Sequence, residues 1–206
     1  MTPFLLATSN PGKAREIARL LVSSGLEVTT LADCGIDEPY EERGATYEEN
    51  ARGKALHYAA LARRIALADD SGLEVAALDG APGPRSARYG GPGQDDASRC
   101  RLLLEALEAV PDGRRQARFV AVAAIARPDG EGRVFRGACE GLIARAPRGS
   151  NGFGYDPIFY VPPLRATFAE LPEGRKDGVS HRGAAFRALA AFLAGDEGRA
   201  FLTAGR

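Results

Sequence analysis

Apolar positions along this chain form short solid runs and longer stretches with helical periodicity, and the two kinds alternate. Phe4-Leu5-Leu6-Ala7-Thr8 is an apolar run of strand length, closed by the turn Ser9-Asn10-Pro11-Gly12. From Lys13 onward Ile17, Leu20 and Leu21 recur at the spacing of one helix face, which leaves Arg15, Glu16 and Arg19 for solvent. Gly25 stops that helix, and Leu26 to Leu31, with Val28-Thr29-Thr30 at its centre, reads as a second strand.

After a loop carrying Glu41-Glu42, Thr46 and Glu49 stand in capping-box spacing and start an alanine-rich helix that runs to about Arg63. Ile65 to Ala68 is a short apolar strand that stops at Asp69-Asp70-Ser71-Gly72. A proline- and glycine-rich segment from Gly80 to Gly93 surrounds Arg85-Ser86-Ala87-Arg88-Tyr89, and Asp95 or Asp96 caps the next helix, with Cys100, Leu103, Leu104 and Leu107 on one face. Arg118 to Ala126 and Arg133 to Ile143 read as a hairpin around the Pro128 to Gly132 turn. A short strand from Ile158 to Val161 follows, and a last helix turns Phe186, Leu189, Phe192 and Leu193 inward. Strand-helix alternation followed by a hairpin predicts an α/β fold, a long mixed β-sheet flanked by helices.

Composition narrows the partners. Lys plus Arg (27) equals Asp plus Glu (27), so no broad field is available to hold a nucleic-acid backbone or an acidic membrane surface. Cys34, Cys100 and Cys139 are odd in number, far apart and without a CxxC pair, and read as small buried hydrophobes in a reducing compartment. The first apolar run is too short for a signal segment, and no run reaches the roughly 20 apolar residues of a membrane span, so the expected location is cytoplasmic.

Four stretches carry candidate chemistry. Ser9-Asn10-Pro11-Gly12-Lys13 joins a strand to a helix, where free N–H groups and the helix dipole attract an anion, although the same residues also make ordinary turns. Asp69-Asp70, with Glu41-Glu42 upstream, offers hard oxygen ligands suited to Mg2+, or else turn and cap residues. Only one of the two aspartates should point into a given site, since neighbouring strand residues face opposite ways; the other is expected to cap a turn. Gly152-Phe153-Gly154-Tyr155-Asp156 sets rings between glycines, as a stacking slot for a flat ligand or as a turn whose aromatics finish the core. Ser180-His181-Arg182 places cations at a helix start against the macrodipole, a conflict that an anion or an electron-rich ligand edge would offset. His57, midway along a helix, reads as structural.

Together these stretches resemble the inosine/xanthosine triphosphate pyrophosphatases, which clear deaminated purine nucleotides. The similar segments are Thr8 to Lys13, Glu49-Asn50 with Lys54, Ala68 to Leu73, Ser86 to Tyr89, Gly152 to Pro157 and Ser180 to Gly183, in the family's order along nearly the whole chain. The resemblance implies one domain over residues 1–206, with helical lobes on either side of a central cleft, acting as a homodimer on a purine nucleoside triphosphate. It implies that Thr8, Ser9, Asn10, Pro11, Gly12 and Lys13 hold the triphosphate with Lys54, that Asp70 binds Mg2+ and activates water, and that Glu42 is its metal companion. Ser71 would touch substrate, Phe153 would stack on the purine with Gly154, Tyr155 and Asp156 completing the wall, and Lys176, His181 and Arg182 would surround the base edge. The expected reaction is hydrolysis of ITP, dITP or XTP to monophosphate and pyrophosphate. The alternatives are a nucleotide sensor without turnover and a phosphatase releasing orthophosphate.

Overall fold

A computed structural model of the chain describes residues 3–22 and 24–204. Seven strands form one mixed sheet: β1 (Phe4–Ala7), β2 (Val28–Thr30), β3 (Ala66–Val75), β4 (Gln116–Ala126), β5 (Gly132–Ile143), β6 (Phe159–Val161) and β7 (Ala166–Thr167), in the order β2-β1-β3-β4-β5-β6-β7. β1 runs parallel to both neighbours, with Leu5 opposite Thr29 on one side and Ala66 on the other. β6 is antiparallel to β5 and β7. All four residues of β1 are buried, as its solid apolar run predicts for a parallel interior strand.

Helices α1 (Pro11–Val22) and α2 (Tyr47–Ala62) follow the first two strands; α3 (Asp96–Ala106), α4 (Glu173–Val179), α5 (His181–Ala194) and α6 (Asp196–Thr203) come later. The capping box of α2 is present: the Thr46 hydroxyl accepts from the Glu49 N–H, and the Glu49 carboxylate accepts from the Thr46 N–H. Asp95 alone caps α3, accepting from the Ser98 N–H at 2.7 Å. α4 and α6 were not expected; both are short, with first turns that carry Glu173 and Asp196-Glu197 but lack side-chain capping bonds to mark them in the sequence.

The largest departure concerns β3. The sequence suggested a strand ending before Asp69, yet β3 continues through Asp69-Asp70-Ser71-Gly72 to Val75. The two aspartates therefore sit mid-strand, and neither caps a turn there.

The chain forms two compact units. One comprises the residues up to Asp70, Ala121–Gly137 and those from Arg182 on; the other comprises Ser71–Val120 and Ala138–His181. The first is built around Leu6, Ile17, Leu21, Leu67, Ile125, Phe186 and Leu189. The core of the second contains Leu73, Leu103, Leu107, Phe119, Phe159 and Phe168. All three cysteines are free thiols, but only Cys100 is buried; Cys34 and Cys139 are partly exposed, so the sequence overstated their burial. Burial pushes the Cys100 thiol up to about 12, which leaves it inert at neutral pH. Among the described residues no helix is long and apolar enough to cross a membrane.

Because the capping box fixes where α2 begins, Thr46→Ala is expected to lower stability by about 1 kcal/mol, read as a shifted urea midpoint at unchanged slope.

Candidate active site

In the first unit, the turn after β1 folds as a helix N-terminus. The Asn10 side-chain oxygen accepts from the Lys13 N–H at 3.0 Å, the Thr8 hydroxyl accepts from the Asn10 N–H at 3.2 Å, and Pro11 occupies the first helical position. Ser9, Asn10 and Pro11 are exposed, Thr8 and Lys13 partly buried, and Gly12 buried. Lys13 reaches from α1 to the Asp69 carboxylate at 2.8 Å.

Asp69 has no exposed surface, and three basic side chains converge on it. Arg182, in the first turn of α5, approaches its carboxylate at 3.4 Å, and the Lys54 ammonium on α2 donates to its backbone carbonyl at 3.1 Å. Burial disfavours the charge on Asp69, but Arg182 and then Lys13 outweigh it and hold the group below the usual carboxylate range. Arg182 is itself buried and gives its other bond to Glu16 at 2.5 Å. Glu16 was expected to face solvent; the guanidinium beside it explains why it lies inside instead. The anion anticipated at the start of α5 is thus supplied by the chain's own carboxylates.

Asp70 has a different environment. Desolvation is the largest influence on it, Lys13 and Lys54 oppose that influence and Glu42 adds to it, and the balance raises the carboxyl to about 6. The Asn50 amide donates to its Oδ2 at 3.1 Å. Glu42 pairs with Lys54, whereas Glu41 is exposed and turned to Arg43. Asp70 and Glu42 are thus two hard oxygen donors that repel one another, and a divalent cation taking few carboxylates and completing its shell with water and phosphate oxygens fits this set. Among the described residues no group of three or more His, Cys, Asp or Glu side chains forms a denser metal cluster.

The second unit holds the aromatic loop. Gly152 has φ +77°, and a Cβ there would collide with the Asp156 carboxylate, so this position admits glycine alone. Asp156 is buried and accepts from the Phe153 N–H at 2.9 Å and from the Lys176 ammonium at 2.5 Å. Lys176 is also buried, 5.2 Å from the Phe153 ring centre and 5.5 Å from that of Phe168. Phe153 and Gly154 are partly exposed, and the Gly154 N–H donates to Asp96 at 2.7 Å. Tyr155 is buried, its hydroxyl donating to the Ser86 carbonyl at 2.9 Å. His181 is buried and stacked on Phe119, with ring centres 4.6 Å apart and planes within 9°. Ser71 is partly buried in β3.

Within the first unit the structure therefore groups Lys13, Glu42, Lys54, Asp69, Asp70 and Arg182. Within the second it groups Phe153, Asp156 and Lys176, while Tyr155 and His181 are packed into buried surroundings. Asn50 and Glu16 were given no role by sequence reasoning, yet a periodic signal existed for both. Asn50 and Lys54 lie on the stripe Tyr47, Ala51, Ala55, Tyr58 and Ala59 that α2 buries, and Glu16 falls four residues after buried Gly12 and four before Leu20.

Removing a buried cation leaves its carboxylates uncompensated. Arg182→Met is expected to destabilise the protein by about 3–5 kcal/mol, measured by urea unfolding at neutral pH.

A model of the Ham1 family matches residues 4–192. The chain is 51% identical over 185 residues to a Thermus thermophilus protein named dITP/XTP pyrophosphatase, covering 90% of this chain and 88% of that one. It is 48% identical over 183 residues to a Desulforamulus reducens protein of the same name, covering 89% and 91%. Among solved structures, a HAM1 protein from Coxiella burnetii aligns with a TM-score of 0.84 at 43% identity, over 94% of this chain and 99% of the other. A Mycobacterium abscessus structure described as nucleoside-triphosphatase / dITP/XTP pyrophosphatase aligns with a TM-score of 0.73 at 46% identity, over 93% and 99%. With a family model spanning most of its length and relatives about half identical across it, the chain belongs to the Ham1 family.

Proposed function

We propose that the chain hydrolyses deaminated purine nucleoside triphosphates, ITP, dITP and XTP, to the monophosphate and pyrophosphate. The observation that carries this reading is geometric: Asp69 is locked between Lys13 and Arg182, and the next residue along the strand, the buried Asp70, is bonded to the Asn50 amide and feels the charge of a second carboxylate, Glu42. Relatives about half identical to this chain are named for the same reaction class.

The roles follow from the environments. The α1 N-terminus and Lys13 attract the phosphates, with Lys54 as a further cation. Asp70 and Glu42 are the residues that would hold a Mg2+ ion, which when bound would supply Lewis acidity and neutralise phosphate charge. Asp70 accepts a proton from water as the water oxygen attacks the α-phosphorus; the bond to the bridging oxygen breaks, and pyrophosphate leaves with that electron pair.

In the second unit Phe153 offers its ring to a purine, and Lys176, already spanning Asp156 and two ring faces, is the donor for a 6-oxo group. Adenine presents an amine at that position and would leave the donor unmatched, a mismatch that discriminates strongly. Arg182, expected at the base edge, has its guanidinium committed to Glu16 and Asp69 and acts through them.

The test is incubation with ITP, XTP, dITP, GTP and ATP plus Mg2+, measuring pyrophosphate and orthophosphate separately. Pyrophosphate from the first three is expected; orthophosphate from ATP, or binding without turnover, would sink the reading. Asp70→Asn is expected to lower kcat by at least about 100-fold, as removal of a general base does.

The same variant has a pH signature in metal-free buffer. The folded-state pKa of Asp70 lies above its unfolded value of 3.8, so the folded protein loses stability as pH rises through that interval to about 6 and remains penalised above it. The penalty is on the order of 3 kcal/mol. Asp70→Asn should therefore raise Tm by roughly 6 °C at pH 7.5, and the gain should vanish as the pH falls to about 4; a gain independent of pH would refute the cause.

A further inference from the structure

We propose that Asn50 is a positioning residue that holds the Asp70 and Glu42 carboxylates in register for the divalent cation; this rests on the reading of those two groups as the cation's ligands. Asn50 is 2% exposed and lies on the buried stripe of α2. Its Nδ2 donates to Asp70 Oδ2 at 3.1 Å, and its Oδ1 accepts from the Gly44 N–H at 2.7 Å. Gly44 lies two residues beyond Glu42, so a single amide spans the strand that carries one carboxylate and the loop that carries the other.

The chemistry dictates the amide and its orientation. A backbone N–H can only donate, so the Asn50 oxygen must face Gly44 and the NH2 must face the carboxylate. An acid of the same shape would set oxygen against oxygen at Asp70, and an apolar residue would leave both partners without their bonds in a buried place. The position of the amide is fixed from behind, because the Thr46 and Glu49 capping box sets the phase of α2 one residue earlier. It is fixed from the front by the absence of a side chain at Gly44, where a Cβ would come within 2.6 Å of Asn50 Oδ1 and 2.7 Å of Glu49 Cβ. Gly44 has an ordinary backbone conformation, so Gly44→Ala acts by displacing the amide together with the first turn of α2 that carries it, and leaves both carboxylates chemically intact.

A tether that merely stiffens the loop would change stability alone; a positioning residue also changes cation affinity. The test is Mn2+ binding, read by the electron paramagnetic resonance of free Mn2+, to wild type, Asn50→Ala, Gly44→Ala and Asp70→Asn without nucleotide. Melting curves and the Mg2+ dependence of ITP turnover are measured beside it. The dissociation constant for Mn2+ is expected to rise at least about 10-fold in Asn50→Ala and in Gly44→Ala, the loss typical of groups that orient metal ligands. The Mg2+ concentration for half-maximal turnover should rise with it. Folded Asn50→Ala with Mn2+ affinity within about twofold of wild type, and only a lower Tm, overturns the proposal. So does Mn2+ binding that Asp70→Asn leaves untouched. The Mn2+ comparison requires no turnover, so it decides on Asn50 even if ITP proves not to be a substrate.

Discussion

A carboxylate without exposed surface, Asp69, is the point on which the first unit depends. It takes Lys13 from α1, Arg182 from the start of α5 and, through its carbonyl, Lys54 from α2. Taking these groups out of water is costly, and only mutual pairing with further bonds offsets the cost. Glu16 supplies the additional anion that Arg182 requires. Three helices are thereby referenced to one residue of β3, and Asp70, the next residue along that strand, takes its place from this arrangement.

The contrast between the neighbours is electrostatic. Asp69 meets Lys13 and Arg182 at contact distance, which hold it below the usual carboxylate range; at Asp70 burial and the charge of Glu42 push the other way, against Lys13, Lys54 and the Asn50 amide, and the carboxyl is raised. One backbone step separates them, and alternation along a strand is what allows such different surroundings.

Much of the fold was legible because its signals are local. The solid apolar run of β1, the capping box of α2 and the hairpin turn each depend on residues near one another in the chain, and each appears where the periodicity put it. The end of β3 was misplaced because Asp69-Asp70-Ser71-Gly72 has turn composition; what keeps it extended is the set of charges brought to it from α1, α2 and α5. Glu16 was misread for the same reason, its partner Arg182 lying far along the sequence. The candidate site residues were gathered by family resemblance, whereas the division of work among Asp69, Asp70 and Arg182 appears only with distances and burial.

The buried stripe of α2 carries one further implication. Asn50 and Lys54 are four residues apart, one helical turn, and both point inward only while the helix keeps its phase from Thr46. Each residue of an α-helix advances the direction of its side chains by about 100°. Deleting a single residue between Thr46 and Asn50 would swing the amide and the ammonium toward solvent and turn Ala51 and Ala55 to face the carboxylates; inserting one would bring Glu49 and Gly53 to those places instead. The number of residues in this segment is therefore as constrained as the identity of Asn50 itself.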